Sequence, residues 1–362
     1  MHPSLSLPRR AAGGLAALAL ATATLTACGG DSEAGSASGS SGDSQAGEGV
    51  EVRLGYFPNL THAPAIVGQD QGFVEDSVGV IGATVKAQQF NSGTDTIEAI
   101  VSDQLDITYI GPSPALTGYS ADPDKVRLIA GATSGGAALV TNPDIASVDD
   151  LAGATIATPS LGNTQDVAAR YHLQEQGLET TLEGGGDVEL LPQDNPITIQ
   201  AYRQGEIDGG WLPEPYLSIL EQDGAEVLVN EADLWPDGEF VTTHVLVNTD
   251  FLAENPEVVD AFLQAHVESV DYVNENSEQA RDEVAAFLNE ATGEELEPEA
   301  LASAWDRLTF TNDPLASTLF ANAEHAEAVG LLDPIEDIEG IYDLDPLNAI
   351  LEESGAKPVS IS

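Results

Sequence analysis

Cysteine occurs once in 362 residues, at Cys28, so no intramolecular disulfide can form. The histidines past the N-terminal region, His62, His172, His244, His266 and His325, show no metal-ligand spacing, and no D-x-D-x-D-G loop offers a calcium site. Basic residues are equally scarce. Against 61 Asp+Glu stand 11 Lys+Arg, for a formal net charge of −50, and the only lysines are Lys86, Lys125 and Lys357. Nucleic acid and anionic membrane surfaces are therefore excluded as electrostatic partners, since both need Lys and Arg to replace counterions. The acids are scattered, as at Glu51, Asp70, Glu75, Asp95, Glu98 and Asp103, which reads as a strongly solvated surface, with a saline habitat as one setting for it and cation capture as the alternative role. Beyond Cys28 no apolar run approaches the ~20 residues of a membrane span. G-x-S-x-G, Walker A and paired glycosidase carboxylates are missing too, so neither an enzyme nor a cofactor is expected.

The N-terminus carries a different signature. Residues 1–27 contain Arg9 and Arg10, no acid, and an apolar run from Ala11 to Ala27, the build of an export signal. Leu25-Thr26-Ala27-Cys28 resembles the lipobox of bacterial lipoproteins, which implies cleavage before Cys28 and a lipid anchor on it at the outer face of the cell membrane. Arg9-Arg10 leave the export route open. Residues 28–49 read as a flexible tether, because Gly29 to Gly49 lack any aromatic or branched apolar side chain with which to order themselves. Residues 50–362 exceed the span one core usually serves and suit two lobes.

The chain then says one thing twice. T-I-E-A-I-V-S-D-Q-L-D-I-T-Y-I-G-P-S-P-A-L from Thr96 is echoed as T-I-Q-A-Y-R-Q-G-E-I-D-G-G-W-L-P-E-P-Y-L from Thr198, so that Thr96/Thr198, Ile97/Ile199, Ala99/Ala201 and Asp106/Asp208 correspond without a gap. Each copy predicts a helix, a turn, a short apolar strand and a new helix opened by a Pro-x-Pro pair, Pro112 to Pro114 and Pro213 to Pro215. Around the repeat the pattern alternates strand and helix: strands at 50–56, 83–89, 106–110, 126–130, 154–158, 188–191, 207–210 and 226–229, with helices from Ala63, Thr94, Ser113, Asn163, Pro196 and Pro213. Val245 to Val247 reads as a strand returning to the first lobe, and the tail from Pro256 as amphipathic helices packed on that lobe. The expected lobes are 50–138 with 243–362, and 139–242. Ligands bind at the carboxyl ends of strands in such α/β sheets, where free helix N–H groups suit anions.

Leu54-Gly55-Tyr56 with Thr61-His62-Ala63-Pro64-Ala65, Ile110-Gly111-Pro112-Ser113-Pro114, Gly131 to Gly136, Leu161-Gly162-Asn163-Thr164-Gln165 and Trp211-Leu212-Pro213-Glu214-Pro215 resemble the solute-binding proteins of ABC importers for nitrate, taurine and aliphatic sulfonates. The resemblance covers about residues 50–350. It implies an α/β, two-lobed periplasmic-binding-protein fold with two hinge crossings, a monomer that closes on a small anion and delivers it to an ABC permease and its ATPase. The pocket positions it implies are Phe57, Asn59 and His62; Pro112 and Ser113; Ser134 and Gly135; Asn163, Thr164 and Gln165; and Trp211 with Glu214. Ser113 and Thr164 would donate hydroxyls beside free helix N–H groups, and Trp211 would wall an alkyl tail. Each has a plainer alternative: Trp211 as core, Ser113 and Asn163 as helix caps, His62 as a helix-start residue. Glu214 either points away to cap its helix or meets a cationic group such as an aminosulfonate carries. An aliphatic sulfonate or taurine-like aminosulfonate is expected ahead of nitrate or a pyrimidine vitamin precursor. A surface sensor or adhesin, and an enzyme like the family's cysteine-dependent relatives, are the readings from other classes.

Overall fold

The computed structural model describes residues 46–361, so the expected signal 1–27, the lipidated Cys28 and the tether as far as residue 45 lie outside the described residues. The end of that tether is not free chain. Residues 46–49 form a turn in which Gly47 is buried and donates its N–H to the Ile81 carbonyl at 2.9 Å. A side chain there would meet Cβ of Ala83 at 2.9 Å, so a small residue is what lets the turn seat against the lobe.

In the first lobe β1 (Glu51–Tyr56), α1 (Ala63–Asp70), α2 (Phe73–Val80), β2 (Thr84–Gln89), α3 (Gly93–Val101), β3 (Ile107–Ile110), α4 (Pro112–Ala121) and β4 (Val126–Gly135) come in order. The second carries β5 (Ala137–Thr141), β6 (Thr155–Thr158), α5 (Thr164–Glu175), β7 (Glu189–Pro192), α6 (Asn195–Gln204), β8 (Gly209–Pro213), α7 (Tyr216–Gln222) and β9 (Glu226–Asn230). The chain returns through β10 (Val241–Asn248), then α8 (Thr249–Glu254), α9 (Pro256–Glu275), α10 (Ser277–Thr292), α11 (Pro298–Asp306), β11 (Leu308–Phe310), α12 (Ala316–Ala328) and α13 (Asp345–Ser354). Strands β5 and β10 begin at residues 137 and 241, each two residues ahead of the expected boundary.

Among the described residues two sheets form, ordered β11-β4-β10-β3-β1-β2 and β7-β6-β8-β5-β9. In each, three strands are parallel (β2-β1-β3 and β7-β6-β8) and one strand from beyond a crossing, β10 or β5, joins antiparallel in the equivalent place. The crossings are Gly135-Gly136 and the segment 231–240. Gly135 has φ +82°, and a Cβ there would meet the Arg307 carbonyl oxygen at 2.5 Å, so both backbone conformation and space demand glycine.

The repeat has a shared physical purpose. Asp106 Oδ2 accepts the Arg53 N–H of β1 at 2.7 Å, and Asp208 Oδ2 accepts the Thr155 N–H of β6 at 2.9 Å. Each backbone N–H of these aspartates bonds back, to the Arg53 and Thr155 carbonyls. The Asp106 and Asp208 carbonyls receive the N–H groups of Asn248 and Asn142, at the ends of β10 and β5. One carboxylate per lobe thus pins the edge of three strands. The copies part at the second proline pair: β8 stays paired with β5 as far as Pro213–Ala137, so the helix expected from Pro213 opens at Tyr216. Strand β11, unforeseen in the helical tail, pairs with β4.

Helices cover both faces of both sheets. Val52, Leu54, Ile107 and Val245 pack with Ile66, Val78, Phe262 and Val270, while Ile110, Leu128 and Leu246 face Ile97, Leu116 and Leu319. In the second lobe Leu212 and Val140 pack against Leu217 and Leu220, and Trp211, Leu139 and Ile156 against Leu173. A buried chain ties the first core together: Tyr109 O–H and His266 Nδ1 lie 2.8 Å apart, and His266 Nε2 reaches the Gly131 carbonyl at 2.8 Å.

Candidate functional site

The turns at the carboxyl ends of β1, β2 and β3 face those of β6, β7 and β8, and a cavity of about 30 Å³ lies between the lobes. Phe57, Asn59, Thr61 and His62 reach it from the β1–α1 connection, Asn91 and Gly93 from the start of α3, Gly111 and Pro114 from the start of α4. From the other side come Pro159, Asn163, Thr164 and Gln165 around the start of α5, Asn195 at the first residue of α6, and Pro213. Thr242 of β10 lies at the crossing. The lining thus draws on the first turns of five helices: His62 and Gly111 are the N-caps of α1 and α4, Asn163 caps α5, and Gly93 and Asn195 are the first residues of α3 and α6. Helix N-termini carry roughly half a positive charge, although Pro64, Pro112, Pro114 and Pro196 remove N–H donors from α1, α4 and α6.

Among the described residues lining the cavity there is no Asp, Glu, Lys or Arg. Burial holds the His62 imidazole down to about 3, so it is neutral. Its ring stacks on Phe57 at 4.6 Å, and Nδ1 accepts the Phe57 N–H at 3.3 Å; that bond assigns the ring proton to Nε2. Asn163 Oδ1 caps α5 by accepting the Asp166 N–H at 2.9 Å, and its amide donates to Gln165 Oε1 at 3.1 Å. The loop that carries them is held from below by buried Asp166, which accepts from Thr158 Oγ1 at 2.8 Å, Gly162 N–H at 2.9 Å and Arg170 Nε at 2.9 Å. Asn195 Oδ1 is buried with no protein partner. The lobes meet tightly here, since a Cβ on Gly111 would lie 2.5 Å from Thr164 Oγ1. Neutral hydrogen-bond donors at helix N-termini suit an anion that brings no proton of its own.

The description of the NMT1-like family fits residues 45–289 of this sequence. The chain belongs to that family. The taurine-binding periplasmic protein of Escherichia coli (strain K12) is 31% identical over 222 residues, which are 61% of this chain and 65% of that protein, so the chain spans just under two thirds of that relative's length. The putative aliphatic sulfonates-binding protein of Bacillus subtilis (strain 168) is 29% identical over 252 residues, 68% of this chain and 71% of that protein. Among solved structures, the alkanesulfonate-binding protein SsuA from Xanthomonas axonopodis pv. citri bound to MOPS superposes with a TM-score of 0.65 at 17% identity, covering 79% of this chain and 96% of that one. The periplasmic nitrate-binding protein NrtA from Synechocystis PCC 6803 gives 0.67 at 16%, covering 85% and 90%. The architecture is therefore the two-lobed periplasmic-binding-protein fold.

Within this NMT1-like framework Phe57, Asn59, His62, Asn163, Thr164 and Gln165 come together at the cavity, and six other expected residues do not. Ser113, beside Pro112 in the first turn of α4, turns inward and donates to Asn322 Oδ1 at 2.7 Å. Ser134 Oγ accepts the Phe240 N–H at 3.2 Å, and Gly135 shapes the crossing. Trp211 is fully buried beneath α5, its Nε1 donating to Glu231 Oε2 at 2.6 Å, so it is core and not a pocket wall. Glu214 points away from the cavity: it accepts from Ser218 N–H and Oγ in the first turn of α7 and pairs with Arg307 Nη1 at 2.7 Å. Burial pushes its carboxyl up to about 7 against the pull of Arg307. Thr61, Asn91, Asn195 and Thr242 were not foreseen; for Asn91 and Asn195 a polar residue between an apolar strand and the next helix is the available signal.

Proposed function

We propose that this chain is the extracytoplasmic receptor of an ABC importer, anchored by a lipid on Cys28, and that it captures a short aminosulfonate of the taurine type between its lobes for a permease and its ATPase. It is a carrier and not an enzyme. The observation that carries the reading is the cavity lined by five helix N-termini and neutral amides and hydroxyls, with no ionised side chain among its described lining residues. A sulfonate spreads one charge over three oxygens, which many weak donors can match together. Asn59, Asn91, Gln165, Thr164 and His62 Nε2 are the proposed donors. The unpartnered Asn195 Oδ1 favours an ammonium group at the other end of the ligand, because a buried acceptor left unpaired costs about 1–3 kcal/mol. The names of the relatives, taurine-binding and aliphatic sulfonates-binding, point the same way. With Trp211 in the core, selection for a long tail loses its basis.

Nitrate is the second reading, favoured by the same neutral, donor-rich lining. Calorimetry with taurine, ethanesulfonate, butanesulfonate and nitrate separates them. The expected order is taurine, then ethanesulfonate, then the rest; tightest binding by nitrate, or by a pyrimidine vitamin precursor added to the panel, would overturn the assignment.

A further inference from the structure

Helix α5 serves a second space. Past the turn that lines the anion cavity, it presents Tyr171, His172 and Glu175 to a separate cavity of about 310 Å³, bounded elsewhere by the Glu231–Trp235 segment of the second crossing and by His325 of α12. Among the described residues lining it there is no Lys or Arg. Glu231 is 1% exposed, and its Oε2 accepts the Trp211 indole N–H at 2.6 Å, with a further bond from the Trp235 side chain. Two neutral donors leave lone pairs of this carboxylate unused, since an ionised carboxylate offers about four acceptor sites. His172 is 9% exposed and its Nε2 has no hydrogen-bond partner. Tyr171 stacks on His325 at 3.7 Å, and the Trp235 ring lies 5.4 Å from the same imidazole, so aromatic rings make up much of one wall.

An anion in this space would meet Glu231 and Glu175 without a compensating cation. A neutral apolar guest would leave His172 Nε2 and the carboxylate unsatisfied. A bare metal ion lacks a ligand set, because no group of three or more His, Cys, Asp or Glu among the described residues could hold one. We propose that the cavity is a second ligand site, selective for a small primary alkylammonium ion that donates its N–H groups to Glu231 and His172 Nε2 and lays its alkyl stem on Tyr171 and Trp235. Desolvated ammonium over aromatic faces is favourable, and the net charge of −50 concentrates cations near the surface. The proposal is independent of which anion occupies the other cavity.

The test is calorimetry on the full chain at about pH 8, above the range in which buried Glu231 holds its proton, with n-propylammonium chloride, tetramethylammonium chloride and sodium chloride at matched ionic strength. Propylammonium is expected to bind saturably, one per chain, at least roughly tenfold tighter than tetramethylammonium, which keeps the cation–π contact but has no N–H to donate. Glu231→Gln, which retains an acceptor for Trp211, is expected to weaken propylammonium at least roughly tenfold. Tyr171→Leu, at a half-buried position, carries the same test should the Glu231 variant fail to fold, with a several-fold loss expected. The proposal is overturned by absence of saturable propylammonium binding up to about 10 mM, by tetramethylammonium binding as tightly, or by unchanged affinity in either folded variant.

Discussion

His62 is the titratable group of the proposed anion site. Its imidazole, held down to about 3 by burial, stays neutral, and no other titratable side chain lines the space among the described residues. Sulfonate affinity is therefore predicted to vary less than about twofold between roughly pH 5 and pH 8; a tenfold gain on acidification would mean that a protonated histidine holds the anion. Gln165→Glu puts a like charge among the proposed sulfonate donors and is predicted to cost sulfonate binding at least about a hundredfold, read by calorimetry. Glu231 behaves in the opposite sense to His62. Burial pushes its carboxyl from 4.5 up to about 7, the indole donors pulling the other way, so the folded chain keeps a proton that the unfolded chain releases. The associated stability is complete below about 4.5 and is lost as the pH rises through about 7. Glu231→Gln removes the titration, so from about pH 5 to pH 8 the variant is predicted to gain on the order of 2 kcal/mol relative to the wild type, measured by urea midpoints. At this scale the sequence was half legible. Asn163 and Thr164 announce themselves as helix-start residues after a strand, whereas Trp211 sits in a strand buried on both faces, Gly209 to Pro213, where no alternation reveals which way a side chain points.

The paired aspartates are the clearest case in which element structure could be read directly. Their shared position in the repeat predicted equivalent units, and each joins the strand after it to its neighbour's edge. Asp208→Ala leaves the Thr155 N–H and the Asn142 amide without their acceptor, and is predicted to cost about 1–3 kcal/mol in equilibrium unfolding. A loss below about 0.5 kcal/mol would show that the repeat is ornamental. The strand and helix rhythm was visible because apolar runs and helix starts alternate along the chain. Strand β11 was not, since three residues, Leu308 to Phe310, carry too little pattern and owe their pairing to β4. Helix α7 begins late for a related reason: the register of β8 against β5, a long-range contact, outweighs the local preference of Pro213 for a helix start.

Across the whole molecule the tail is a structural partner of both lobes. Arg307, before β11, reaches Glu214 and Glu221 of the second lobe at 2.7 Å each, and Arg203 of α6 pairs with Glu294 at 2.8 Å. These ties were not legible, because charged residues so distant in sequence give no signal of their pairing. The net charge of −50 was legible and has a consequence for capture. Its repulsion of an anion is screened beyond roughly 10 Å at 0.1 M salt, so sulfonate affinity is predicted to hold or rise as sodium chloride increases. The central claim is that a short sulfonate is held between the lobes by donors from both, so that only the closed form satisfies it. Small-angle scattering with and without taurine, on wild type and Gln165→Glu, tests it. A smaller radius of gyration is expected for the wild type at saturation and no change for the variant; a wild type that binds taurine without compaction, or a variant that compacts equally, rules the closure out.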